Sequence, residues 1–222
     1  MSLPAPDELV ALLAGAWQGP APQAPFRGVS IDSRRVRSGD LFFALPGRHR
    51  DGHDFLAAAL KAGAAAVIQR RDRADPGQDG HSVAGRLLVD DPLHALQQLA
   101  AWYRRRQIHQ VLAITGSNGK TVVKGALTAL LASRFRVAAS PGSWNSQVGV
   151  PLAVLSAPPG SEIGIFEAGI SAPGEMDRLA AILAPDFGVL VNVGLAHLGS
   201  FGSRAVDRKS TRLNSSHSSV SR

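Results

Sequence analysis

The chain contains no cysteine, which excludes a disulfide framework and any thiolate metal site and fits a reducing compartment. Nowhere do about 18 apolar residues follow one another, the length a membrane-spanning helix needs. The opening MSLPAPDELVALLAG starts acidic and lacks a basic stretch ahead of an apolar run, so no secretory leader is read there. A cytoplasmic protein without membrane insertion is expected. Acidic residues are in deficit, 17 against 24 Lys and Arg, for a net charge of +7. Arg208, Lys209, Arg212 and Arg222 supply four of those seven charges within a final stretch that has no acid, leaving three for residues 1–207. That is a weak footprint for a polyanion partner. The other basic cluster, Arg104 to Arg106, closes the helical-looking stretch Leu93–Arg106, where cations complement the helix dipole. Aromatic residues are only 5% of the chain, and none interleave with these cations as a nucleic-acid surface would require. No nucleic-acid partner is expected.

What is present is ordinary globular material, 45% hydrophobic over 222 residues, enough for one large domain or two small ones. The first hundred residues alternate short apolar runs with helical patterns. Helices are predicted near Asp7–Ala14 and Asp54–Ala62, and strands near Gly28–Ile31, Leu41–Ala44, Ala65–Ile68 and Leu87–Val89. The Asp-, Gly- and Pro-rich segment from Arg70 to Ser82 reads as a loop. Asp91 and Pro92 make an N-cap and first turn for the next helix. From Ile108 the pattern becomes buried strands followed by helices. Strands are predicted at Val111–Ile114, Ile163–Phe166 and Val189–Val193, and helices at Thr121–Ser133 and Gly174–Leu183. In the first of these helices Val122, Val123, Ala126, Leu127, Leu130 and Leu131 fall on one face. Such a βαβα order implies a parallel sheet with ligands at the carboxyl ends of its strands.

The expected fold class is therefore α/β: a small N-terminal α/β domain, residues 1–107, followed by a P-loop-type parallel-sheet domain, residues 108–207, that is incomplete. Residues 208–222 are Ser-rich and break every pattern. They read either as a natural disordered tail or, preferably, as translated adapter sequence, and are set aside from the fold.

The strongest local signal is Thr115-Gly116-Ser117-Asn118-Gly119-Lys120-Thr121, set between a buried strand and an amphipathic helix. Gly116 and Gly119 permit a tight turn with inward amides, the helix N-terminus offers a positive dipole end, and Lys120 adds a point charge. Thr121 is placed to offer a hydroxyl to Mg²⁺. The strict spacing would want Gly where Ile114 stands, so a structural turn with an incidental Lys is the competing reading. Glu167 ends an apolar strand, where a carboxylate is costly unless paired or bound to a cation; capping of the next helix is its alternative. A lone His such as His197 is more often a hydrogen-bonded structural residue than a ligand. Asp32, Ser33 and Arg34 suit a turn, or, for Arg34, an anionic partner.

The T-G-x-N-G-K-T form of this loop resembles that of the Mur ligase family and the related folylpolyglutamate ligases. Val29–Arg34, Gly39–Gly47 and Asp51–Phe55 resemble the UDP-sugar-binding N-terminal domain of Mur ligases. Gly142–Pro151, Glu167–Met176 and Asn192–Leu198 are similar to the branch of the family that adds D-alanyl-D-alanine. Departures occur at Val122, Ser143, Ser146 and Gln147, and resemble a subgroup fused to an alanine racemase. The resemblance implies an ATP- and Mg²⁺-dependent ligase joining D-alanyl-D-alanine to UDP-N-acetylmuramoyl-tripeptide through an acyl phosphate. It implies ATP contacts from Thr115 to Thr121, catalytic roles for Lys120, Glu167 and His197, and Mg²⁺ contacts from Thr121, Glu167 and His197. Ser33, Arg34 and Asn145 become substrate contacts. Further, it implies that the central domain stops short, that a C-terminal domain is missing, and that the chain alone turns over no substrate. His49, Asp51, His53 and Asp54 look like a metal cluster by spacing, but the resemblance makes them a loop and helix start with Asp54 as N-cap. The alternatives are a ligase for the third amino acid or a folylpolyglutamate-type ligase. A non-catalytic nucleotide-binding module is the alternative of a different class.

Overall fold

Strand β3 (Asp40–Phe43) is buried at every position, the mark of a strand covered on both faces. It lies inside the first of two sheets in a computed structural model that describes residues 3–47, 50–73 and 85–193. The chain divides into two compact units, Met1–Leu99 and Ala100–Arg222.

In the first unit, α1 (Pro6–Leu13) turns Leu9 and Leu13 inward and ends on Ala14 in the left-handed region. Strands β1 (Ala16–Gln18), β2 (Gly28–Ser30), β3, β4 (Ala66–Arg70) and β5 (Gly85–Val89) form one sheet in the order β1-β5-β4-β3-β2. All neighbours run parallel except β1, which pairs antiparallel with β5. The edge strand β1 lacks the apolar alternation that would have announced it. Helix α2 (Leu56–Lys61) is shorter than predicted, because Gly52–Phe55 form a 3₁₀ turn ahead of it. Asp54 is not the N-cap: Asp51 accepts the His53 amide at 3.0 Å, and α2 begins after Phe55 without a side-chain cap. His53 places Nδ1 2.6 Å from Asp51 Oδ1 and receives the Arg70 amide on Nε2 at 3.0 Å. That bond needs the Nε2 lone pair and sets the ring proton on Nδ1 toward Asp51. The His53 amide, then the ring, hold the Asp51 carboxyl below the usual carboxylate range. His53 is thus a latch between a loop and β4. Helix α3 (Pro92–Gln107) starts as expected, with Asp91 accepting the Leu93 and His94 amides at 2.8 and 3.2 Å.

The second unit holds a four-stranded parallel sheet in the order β7-β8-β6-β9, built from β6 (Ile108–Thr115), β7 (Val137–Ala139), β8 (Ser161–Glu167) and β9 (Phe187–Leu190). Helices α4 (Lys120–Leu131), α5 (Gly149–Ser156) and α6 (Glu175–Leu183) connect them. The short β7 and the apolar-all-round α5 carried no readable period. The apolar face predicted for α4 is only partly turned inward. Val122 and Leu130 are 76% and 70% exposed, and the buried residue of the helix is Lys124. The helix is rotated toward Lys124, whose ammonium meets a buried carboxylate, an attraction that no hydrophobic period reports.

Beneath the sheet Arg104 acts as a clip. Its Nε donates to the Leu183 carbonyl at 2.6 Å, and Nη2 to the Ala184 carbonyl at 2.7 Å and Asp186 Oδ2 at 2.6 Å. Asp186 also accepts the Val111 amide at 2.7 Å. The basic end of α3 is therefore no uniformly solvated terminus: Arg104 is buried, and Arg106 lies over the Trp102 ring at 4.4 Å. Arg104→Met is expected to cost about 2 kcal/mol, the scale of lost charge-assisted hydrogen bonds, read as a lower urea midpoint for the chain.

Candidate functional site

The end of β6 delivers the loop Thr115–Gly119 to the first turn of α4. Gly116 has φ 137° and Gly119 φ 81°, where side chains with a Cβ are strained. A Cβ on Gly116 would also stand 3.0 Å from the Asn192 backbone. Asn192 takes up two loop amides, Ser117 N on its carbonyl at 3.2 Å and Asn118 N on Oδ1 at 3.0 Å. These amides thus face Asn192 rather than turning inward as predicted. Lys120 Nζ curls back to the Gly116 carbonyl at 2.6 Å. Helix α4 has Gly119 as N-cap and no side-chain cap. Its first amides are of the kind that anions satisfy at helix N-termini.

Glu167 ends β8 and is paired in register with Ile114 of β6, so its carboxylate stands beside this loop. It has no solvent exposure. Thr121 Oγ1 donates to Oε2 at 3.2 Å. Oε1 lies 2.8 Å from Lys124 Nζ, an ion-pair contact without hydrogen-bond alignment, since no partner meets that geometry. Capping of the next helix is not its task. At α6 it is Glu175 Oε2 that accepts the Ser171 and Ala172 amides, at 2.6 and 3.0 Å. Burial raises the Glu175 carboxyl, but these bonds outweigh it and hold the group below its ordinary value.

A pocket of about 270 Å³ opens over the loop. Thr115, Gly116, Ser117 and Lys120 line one side, and Asn145, Gln147, Gly169 and Glu175 are among the residues lining the rest. Asn145 is held there because its carbonyl accepts the Gly169 amide at 2.8 Å. A Cβ on Gly169 would fall 2.9 Å from Asn145 Cγ, so that glycine allows the two chains to touch. The structure thus brings Thr115, Gly116, Ser117, Lys120 and Asn145 to one pocket and joins Thr121 to Glu167. Asn118 is turned to Asn192. Ser33 and Arg34 belong to the first unit, in a 3₁₀ turn after β2, where Arg34 pairs with Asp32 at 2.9 and 2.8 Å and its side chain is 84% exposed. His197 and residues 208–222 lie outside the described residues. Lys124 escaped the sequence reading, although a charge among the apolar positions of α4 was its signal; Asn192, Gln147 and Glu175 entered that reading only as members of the family-like segments, without a site role.

Hard oxygen donors are what Mg²⁺ takes, commonly one or two from protein and the rest from phosphate and water. Glu167 Oε2, which among the described residues meets only the Thr121 hydroxyl while Oε1 is taken up by the Lys124 ammonium, fits that pattern together with that hydroxyl. Among the described residues no three His, Asp or Glu cluster as a metal site complete in itself.

A buried parallel strand, a glycine-bearing loop closed by lysine, and an uncapped helix start over a pocket define a P-loop-type α/β unit. The chain belongs to the Mur ligase family: the model of the Mur ligase middle domain matches residues 114–207, and that of the Mur ligase family catalytic domain residues 25–104. It is 41% identical over 182 residues to the UDP-N-acetylmuramoyl-tripeptide–D-alanyl-D-alanine ligase of Bacillus subtilis, covering 82% of this chain and 39% of that relative. The MurF crystal structure from Acinetobacter baumannii superposes with a TM-score of 0.83 at 30% identity, covering 95% of this chain and 46% of that one. MurF ligase from Thermotoga maritima in complex with ADP superposes with a TM-score of 0.74 at 36% identity, covering 83% and 42%. The chain thus spans less than half the length of these relatives.

Gly116→Ala is expected to destabilise the chain by about 1–3 kcal/mol, through backbone strain and the Asn192 contact, measurable as a lower urea midpoint. At the other turn, the Arg34 side chain and then its amide hold the Asp32 carboxyl down to about 2. With its folded value depressed, the pairing is complete above the ordinary carboxylate range and is lost as pH falls through about 2. In Arg34→Ala, which removes the guanidinium but keeps the backbone amide, an NMR titration of that carboxyl is expected to move up toward the ordinary range without reaching it.

Proposed function

We propose that this chain is the precursor- and ATP-binding portion of an enzyme that joins D-alanyl-D-alanine to UDP-N-acetylmuramoyl-tripeptide in peptidoglycan synthesis, working in the cytoplasm. The observation that carries this reading is the pocket over Thr115–Lys120, with the uncapped start of α4 on one side and the buried Glu167–Thr121 pair beside it. The 41% identity to a ligase of that name supports the choice of substrates. In this reading residues 1–107 hold the UDP-linked precursor, with Ser33 and Arg34 as contacts, and residues 108–207 hold ATP.

Such a ligase works by two displacements. A carboxylate oxygen of the tripeptide attacks the γ-phosphorus of ATP and ADP leaves. The amine of D-alanyl-D-alanine then attacks the resulting acyl carbon, phosphate leaves, and the amine gives up its proton. Both steps gather negative charge in one place, and preorganised cationic and amide groups lower that barrier. Lys120 swings from the Gly116 carbonyl to the terminal phosphates, and the first turn of α4 presents its amides to them. Thr121 and Glu167 would hold Mg²⁺, with His197 as a further ligand; the ion supplies charge neutralisation at the phosphates. Asn145 orients substrate across the pocket.

Lys120→Ala in the 222-residue chain is expected to weaken ADP binding about ten- to a hundredfold, the worth of a charge-assisted hydrogen bond. Isothermal titration calorimetry checks this; unchanged affinity would remove the nucleotide reading.

A further inference from the structure

We propose that Lys124 is a positioning residue of this site, a buried ammonium that fixes both Glu167 and the turn leading to Asn145. The inference rests on the reading of Glu167 as a cation contact. Lys124 Nζ lies 2.8 Å from Glu167 Oε1, donates to the Ser140 carbonyl at 2.8 Å, and also donates to the Gly142 carbonyl. The Ser140 hydroxyl stands at 3.4 Å. The Lys124 side chain is 7% exposed and that of Glu167 not at all.

A pair so deeply buried is poorly explained as a device for stability, because apolar replacements of both partners usually serve as well or better. Its placement explains it. Serine 140 and Gly142 follow β7 and begin the segment that carries Asn145, and the same segment is tied again where the Gly169 amide meets the Asn145 carbonyl. The carboxyl end of β8 is thus joined to this segment at two points, through Glu167 by way of Lys124 and through Gly169 directly. Lys124 holds Oε1 on its own side, which leaves Oε2 facing the Thr121 hydroxyl. A compact ammonium can pair with a carboxylate by charge while donating to two carbonyls from one point, which a planar guanidinium does not match.

The test compares ADP affinity with Mg²⁺ and with EDTA, by calorimetry, for the unmodified chain, Lys124→Met and Glu167→Gln. The unmodified chain is expected to bind more tightly with Mg²⁺, and Glu167→Gln to lose that gain. Lys124→Met is expected to lose about ten- to a hundredfold of it, the usual cost of removing a partner that orients a metal ligand, with its EDTA affinity unchanged. A merely structural role would lower both affinities together, and that result, or a full Mg²⁺ gain in Lys124→Met, would overturn the inference. Should Lys124→Met prove unfolded by circular dichroism, the Lys124 ammonium signal of the unmodified chain decides by ¹⁵N NMR. It is expected to shift when Mg²⁺ and ADP are added together but not with ADP in EDTA, and an unmoved signal sinks the proposal. If Glu167→Gln keeps the Mg²⁺ gain, or the unmodified chain has none, the cation reading of Glu167 itself fails and takes this inference with it.

Discussion

A carboxylate with no exposure to water, Glu167, is the constraint around which the second unit is arranged. Removing such a charge from solvent is costly unless opposite charge and hydrogen bonds meet it. The Lys124 ammonium and the Thr121 hydroxyl do so, and both belong to α4. That explains the orientation of the helix. It turns its one buried cation toward the sheet and leaves Val122 and Leu130 outside, contrary to what its apolar spacing alone would favour. The parallel register of β6 and β8 then sets Glu167 opposite Ile114, beside the loop that begins at Thr115.

The loop is held from the other side of β6. Asn192 receives the Ser117 and Asn118 amides, and the close approach of its backbone is possible because Gly116 has no Cβ. Arg104 and Asp186 fasten the end of α6 and the entry of β9 to Val111 on the central strand. The pocket therefore sits on a sheet whose strands are tied at both ends, and a binding site needs such support to keep its geometry. The Mur ligase relationship, carried by both family models across most of the described residues, agrees with this plan.

The first unit follows a different logic. Its polar latches are local, with Asp51 and His53 fastening a loop to β4 and Asp32 holding Arg34 in the turn after β2. Among the described residues no helix is long and apolar enough to cross a membrane. The pairing of Arg34 with Asp32 is exposed, and exposed pairs of this kind exchange partners easily.

Much of this was legible from residues alone. Continuous apolar runs announced β3, β6 and β8, Asp91 and Pro92 announced α3, and the loop from Thr115 to Thr121 announced itself by glycine and lysine between a strand and a helix. These signals are local, because a strand's burial on two faces, a cap and a tight turn each depend on a few consecutive residues. The short strands β1 and β7, the capping of the turn by Asp51 instead of Asp54, the roles of Asn192 and Glu175, and the inward turn of Lys124 were decided only by the tertiary structure. Each depends on a partner from another element, whether a neighbouring strand, a distant amide or a buried carboxylate 43 positions away in the chain. Sequence determined which segments could form and which carried chemistry; packing and charge compensation decided which side chains meet.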